Sequence, residues 1–365
     1  MSDAWSIALS RHAGRAEPLP AATPGDGAET EAGSLRSAGP KREVTWGLVS
    51  TIKAPAHKVL DFAAWHLEMG AHRLFLYLDD PEDPVFEVLK AHPRIRPTLC
   101  DRRHWKRLGR RPEKHQPRQT MNATQAYAKA DVDWLAHIDV DEFLIAPRPM
   151  AEVLSALPDT CHAARVRPVE ALAPGADTPP GTTRFKACAL DRGTRLAQSA
   201  EVYPEFGQWL NGGFLSHVAG KIFARPGLLG AEFRIHNLKT AEGDNPGQQE
   251  LSEVELAHFH APHLEAWLAA YRFRLEQGSY RAELKPARAR DKGGLSMHEL
   301  FTLIEAEEGE TGLRRFFAEV GQDSPDLRGK LAAHGLLREL SLPLDSLREK
   351  HFPGAVPDHD AAGPA

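Results

Sequence analysis

At 365 residues and 42% hydrophobic content, the chain is long enough to bury a substantial core in one large or two medium domains. Its formal net charge of -5 excludes a general electrostatic pull toward nucleic acid, and its three widely spaced cysteines, Cys100, Cys161 and Cys188, exclude a disulfide framework or a Cys-x-x-Cys zinc knuckle. No uncharged apolar run approaches the roughly 18 residues of a membrane span and no basic-then-apolar export signal opens the chain, so a cytoplasmic protein is expected.

Residues 1–41, rich in Ala, Gly, Pro, Glu and Thr, read as a disordered leader. The β-branched run over 44–52 predicts a strand; Pro55 then opens a helix with Val59, Phe62, Ala63 and Leu67 at helical spacing and Gly70 as its stop. A second apolar strand over 73–78 runs into Asp79-Asp80. Helices over 85–92 and 119–130 and strands over 95–99 and up to Asp139 continue the alternation. It predicts an α/β fold: an open, mostly parallel sheet flanked by helices, with ligands outside the carboxyl ends of its strands. Residues 101–118 carry Arg102, Arg103, Lys106, Arg107, Arg110, Arg111, Lys114 and Arg118 against Asp101 and Glu113, and read as a solvated loop or an electropositive flap over an anionic ligand, with Trp105 as a stacking surface. A short helix is expected over 150–157. The region 163–239 then reads as irregular β, with strands over 164–167, 214–218, 221–225 and 232–236, and forms a mixed half suited to a second substrate. The alternating run 254–260 places His258 and His260 on one face, and Pro262 opens a helix whose stripe includes Trp267 and Tyr271, expected in the core. The division that follows is an α/β domain over 42–280, split near 160, a helical extension over 281–352 and a disordered tail over 353–365.

The stretch Trp134-Leu135-Ala136-His137-Ile138-Asp139-Val140-Asp141-Glu142-Phe143 begins as a buried strand and ends in three carboxylates. If the backbone stays extended, Asp139 and Asp141 point the same way, about 6–7 Å apart, and repel unless a cation lies between them. Mg²⁺ or Mn²⁺ suits oxygen ligands and leaves positions for phosphate oxygens, whereas Asp-x-Asp at a strand end also occurs with water as its only partner. A cation so placed would act as a Lewis acid on a departing phosphate. Lys221 or an arginine of the 102–118 loop could add positive charge there, although an isolated lysine is more commonly a surface residue. Gln119 and Asn122 share a helix face and reach either a ligand or the neighbouring loops.

These residues resemble bacterial glycosyltransferase family 2 proteins and the related family 92 enzymes. The resemblance rests on the strand ending at Lys53, on Tyr77-Leu78-Asp79-Asp80, on the helix with Gln119-x-x-Asn122-Ala123, and above all on Asp139-Val140-Asp141-Glu142-Phe143, over residues 44–280. It implies a GT-A fold binding a nucleotide-sugar donor, a UDP-sugar by family habit. By that resemblance Asp139 and Asp141 hold Mn²⁺ or Mg²⁺ on the donor diphosphate, and a late histidine, His260 or alternatively His258, completes the metal site. Asp80 would contact the base or ribose, with Lys53, Asp79, Arg118, Gln119 and Asn122 as further donor contacts. Many relatives have Lys-Asn-Glu where this chain has Lys53-Ala54-Pro55, a departure at a position whose Asn or Glu makes a polar contact to the nucleotide.

The expected activity is sugar transfer to an acceptor hydroxyl, with inversion requiring a carboxylate base on the opposite face of the sugar. Glu205, Glu242 and Asp244 are loop carboxylates in the second half. The acceptor would be a glycan, a small molecule or a lipid-linked sugar reached by peripheral membrane association; no nucleic acid is expected. Two other classes compete: a non-catalytic nucleotide- or sugar-binding protein, which turnover of donor separates, and a metal-dependent nucleotidyltransferase or phosphohydrolase, which would attack a nucleoside triphosphate or phosphomonoester.

Overall fold

The structure, a computed structural model, describes residues 43–355; the expected leader over 1–41 and most of the expected tail lie outside the described residues. The first strand, β1 (Trp46–Ile52), is buried along its whole length, as a central parallel strand must be when helices cover both faces. Helix α1 (Ala56–Glu68) follows Pro55 and buries the stripe containing Val59, Phe62, Ala63 and Leu67. Next come β2 (Arg73–Leu78), α2 (Phe86–Ala91), β3 (Ile95–Leu99), α3 (Arg102–Arg107), α4 (His115–Lys129) and β4 (Trp134–His137). β4, β1, β2 and β3 lie side by side and parallel, with register pairs such as Val49↔His137 and Thr51↔Tyr77. β3 closes this edge, where Pro97, lacking an N–H, costs the sheet nothing.

Beyond β4 the sheet changes character. After β5 (Glu142–Ile145) and α5 (Met150–Ser155) come β6 (Ala163–Ala171), β7 (Thr183–Lys186), α6 (Arg192–Val202) and β8 (Lys221–Ala224). The hairpin-like pieces β9 (Glu232–Phe233), β10 (Leu238–Thr240) and β11 (Gly243–Asp244) make a small separate sheet, and β12 (Gln249–His258) returns to the main one. β8 is antiparallel to both β4 and β6, β7 is antiparallel to β6, and β12 runs parallel to β6 and antiparallel to β5. The sheet is therefore parallel over β4, β1, β2 and β3 and mixed beyond β4, in keeping with the expected mixed second half.

Helices α7 (Leu264–Glu276), α8 (Met297–Val320) and α9 (Pro325–Ala333) pack with α6 around Trp267, Tyr271, Phe301, Phe316 and Phe317, so Trp267 and Tyr271 are core residues as expected. The chain then rejoins the sheet through β13 (Leu337–Leu340), antiparallel to β7, and α10 (Leu344–His351) lies against α1, tied by Arg348 to Asp61 and by Lys350 to Glu68. α8 begins with a reciprocal cap, Ser296 accepting from the Glu299 N–H while the Glu299 side chain accepts from the Ser296 N–H.

Three expectations about elements are corrected. Residues 101–118 are loop only over 108–114: Asp101 caps α3 by accepting from His104 N–H at 2.7 Å, and α4 begins at His115. Trp105 is buried in the core beside His104 and offers no stacking surface. The apolar run 214–218 is no strand, and α6, with Asp191 as its cap, occupies a region read as irregular β.

Candidate active site at the acidic turn

β4 ends at His137, and the chain turns at once through Asp139–Glu142, where the Glu142 N–H donates to the Asp139 carbonyl at 3.1 Å. Asp139 and Asp141 thus lie on a turn linking two strands of the sheet, not on one face of an extended strand; β5 pairs with β12 immediately afterwards, and that pairing bends the backbone. The turn is pinned from three sides. Phe259 N–H donates to the Asp141 carbonyl at 2.9 Å, the Asp139 N–H donates to Glu142 Oε2 at 2.8 Å, and Gln119 Nε2, one turn into α4, donates to Asp139 Oδ1 at 2.6 Å.

The fourth constraint is Lys221. The sequence suggested a surface residue, but the side chain is 1% exposed; its Nζ lies 2.5 Å from Asp139 Oδ2 and 3.3 Å from Glu142 Oε2. Gly220 makes this possible. With φ at +69° and a notional Cβ 2.1 Å from the Val166 carbonyl, no other residue fits there without moving β6, and the turn it makes delivers Lys221 as the first residue of β8. Burial would strip the ammonium of its charge, yet Asp139 and Glu142 outweigh it and hold the proton on more firmly than in water. The same attraction overrides the burial of Asp139 and keeps its carboxyl well below the ordinary range. Glu142 shows the opposite balance: burial, only partly offset by Lys221, pushes it up to about 7, and its Oε1 is buried without a partner.

Asp141 is the most open carboxylate of the turn, its side chain 41% exposed against 30% for Asp139 and 1% for Glu142. Its Oδ2 lies 3.5 Å from His258 Nε2. Burial would lower the imidazole, but the charge and hydrogen bond of Asp141 raise it to about 9. His260, just past the end of β12, stacks edge-on to His258 at 5.2 Å between ring centroids, so the two histidines do come together; burial keeps His260 neutral and its Nε2 has no partner. His217 and His236 stand behind, 4.3 Å apart, with His236 Nδ1 donating to the Gly220 carbonyl at 2.8 Å.

β12 also carries a row of charge across the sheet. Glu142, His258, Glu170 and Lys186 are successive lateral neighbours on β5, β12, β6 and β7, all buried. Glu170 accepts from the N–H groups of Leu215 and Ser216 at 2.7 and 2.8 Å and from Ser216 Oγ at 2.5 Å, while Lys186 Nζ lies 3.1 Å from it and donates to the Gly213 and Val320 carbonyls. That is why 214–218 is a loop: its backbone is strapped to Glu170 rather than to a strand. Glu142, Glu170 and Lys186 were missed as site residues, and the available signal was a lone carboxylate or lysine inside an otherwise apolar strand.

The remaining expected residues divide. Asp79, buried at the carboxyl end of β2, pairs with Arg111 and Arg118, each at 3.2 Å, so part of the basic segment does fold over the rim. His115 and Gln119 share that end of α4. Asp80 is exposed and accepts from the Glu82 N–H at 3.0 Å in a local turn; Lys53 is exposed at the end of β1. Asn122 faces inward, donating to Thr51 Oγ1 at 3.1 Å and bonded to His104 Nε2 at 2.8 Å, so it holds α4 and α3 to β1 instead of reaching a ligand. Glu205 pairs with Arg315 of α8, and Glu242 and Asp244 are exposed at the small three-stranded sheet; none of the three has a hydrogen bond or ion pair to the acidic turn.

The expected metal set of Asp139, Asp141 and His260 or His258 does not fit a divalent cation as arranged. Both Asp139 oxygens are already committed, one to Gln119 and one to Lys221, and among the described residues no group of three or more His, Cys, Asp or Glu side chains is arranged to hold a metal. No helix among them is long and apolar enough to cross a membrane.

Solved structures that are similar in part include HddC from Yersinia pseudotuberculosis, 11% identical over 36% of this chain and 66% of that one with a TM-score of 0.25. Another is CMP:2-keto-3-deoxy-manno-octonic acid synthetase complexed with CTP, 16% identical over 40% of this chain and 61% of that one with a TM-score of 0.24. In both cases less than two thirds of the other chain is spanned. No curated protein sequence matches. Residues 49–165, running from β1 through the acidic turn into β6, match the family model for glycosyltransferase family 92, and over that segment the chain is similar to the family.

Proposed function

We propose that this protein transfers a sugar from a nucleotide-diphosphate donor to an acceptor hydroxyl at the acidic turn. The observation that carries the reading is that the segment similar to family 92 carries the Asp139–Gln119 and Asp79–Arg118 pairs just past the carboxyl ends of the parallel strands β4 and β2, the side on which open α/β sheets take their ligands. Arg111 and Arg118 supply positive charge toward a leaving diphosphate as the bond to the sugar breaks. Asp139, fixed by Gln119 and Lys221, holds the shape of the turn that presents Asp141. Asp141 is the open carboxylate through which an acceptor hydroxyl can lose its proton.

The test is to incubate the purified chain with a panel of nucleotide sugars and candidate glycan and lipid-linked acceptors and to follow release of the nucleoside diphosphate. Release by the wild type, reduced about 10²–10⁴-fold in D141N with its circular dichroism unchanged, is expected. Release of pyrophosphate from a nucleoside triphosphate would instead identify a nucleotidyltransferase, and absence of any turnover alongside tight donor binding would identify a binding protein.

A further inference from the structure

Lys221 stands where a cation shared by the acidic turn would have to act. Its Nζ holds Asp139 Oδ2 at 2.5 Å and approaches Glu142 Oε2 at 3.3 Å, the oxygen that also accepts the Asp139 N–H. The lysine cannot be a surface side chain that has swung in. It is 1% exposed, it opens β8, its backbone pairs with Val166 of β6, and the preceding Gly220, at φ +69°, packs against the Val166 carbonyl where a Cβ would clash. A divalent ion on Asp139 would have to displace a buried ammonium from the nearer of its two carboxylates, leaving it with Glu142 alone at 3.3 Å. On the rim the balance is reversed. Asp79 is shared by two guanidinium groups, one of which, Arg111, is 49% exposed, so positive charge is left over on the side a ligand approaches.

We propose that Lys221 is the resident cation of the acidic turn and that the donor's diphosphate is held by Arg111 and Arg118 without a divalent metal. This rests on the reading of the protein as a user of nucleotide-linked donors. Lys221 is then a positioning residue: it keeps Asp139 oriented and the turn neutral, and the leaving diphosphate takes the electron pair of the broken carbon–oxygen bond beside the two arginines.

The experiment is calorimetric titration of the full chain with UDP, GDP, CDP and ADP, in excess EDTA and again in Mn²⁺. A dissociation constant for the best nucleotide that differs less than about threefold between the two arms is expected. Tightening by about tenfold or more in Mn²⁺ overturns the inference while leaving the transferase reading in place; no binding in either arm overturns both. A second readout needs no nucleotide: the electron paramagnetic resonance signal of free Mn²⁺ should be unchanged by the wild type and diminished by K221M, in which Asp139 and Glu142 are released. Uptake of Mn²⁺ by the wild type, or none by a K221M that circular dichroism shows to be folded, overturns the assignment of Lys221. Should K221M fail to fold, the wild-type arms decide.

Discussion

The pairing of Asp141 with His258 is the most directly measurable charge interaction in the site. Because burial works against the imidazolium, its high affinity for a proton depends on the aspartate, and D141N should let the His258 resonance titrate well below the value of about 9 that holds in the intact protein. Two-dimensional NMR of the imidazole carbons reads this, and an unchanged titration would remove Asp141 as the partner. At this scale the sequence was informative about which residues matter and silent about what they touch. Asp139 and Asp141 stood out because carboxylates interrupt an apolar run at a strand end, and Gln119 through the resemblance carried by its helix; the fold brings Asp139 and Gln119 into contact. The partner of Asp139 was not, because Lys221 is 82 residues away and only the closure of β8 onto β4 and β6 brings it in.

Among the elements, β1, α1, β2 and β3 were readable from periodicity because each buries its own face against its sequence neighbours. The loop from Asn211 to Gly220 was not. It looks like a strand in composition, with Phe214 and Leu215 buried, but its hydrogen bonds go to a carboxylate 45 residues earlier in the chain. E170Q should therefore loosen that loop before it unfolds the sheet. The expected outcome is faster hydrogen exchange at the amides of Leu215 and Ser216, with the β1 amides still protected; equal protection in both variants would mean that Glu170 is not the strap. The acidic turn is a third kind of element. An apolar run predicted the strand correctly up to His137, and the pairing of β5 with β12, which no local pattern announces, ended it there.

Over the whole molecule, the buried histidines set the response to acid. Burial lowers His66 to about 3 and His137 and His236 to about 4. A histidine depressed in this way contributes stability that is fully present above its unfolded value near 6.5 and is lost as pH falls toward the folded value, since the unfolded chain takes up the proton first. Glu142, raised to about 7, works against this over part of the window, and His258, raised to about 9, contributes stability that is lost only on the alkaline side. His217 and His260, also depressed by burial, act in the same direction, so the unfolded chain binds more protons than the folded one near pH 5.5 and stability falls toward acid. Urea midpoints across pH 4.5–7 should fall steeply toward acid; a flat profile would mean that these imidazoles are not buried. The segment after 281 is joined to the sheet by β13, which adds a strand beside β7, and by α10, which lies against α1.

The row of ions running from Glu142 through His258 and Glu170 to Lys186 has one more implication for how this polypeptide reaches its native state. Each member lies beside a polar neighbour on the next strand, so sliding any one strand by a single residue would turn its side chain to the opposite face and take it out of the row. Misaligned pairings are thus heavily penalised. The ladder acts as a lock on alignment across the half of the sheet in which parallel and antiparallel pairings alternate.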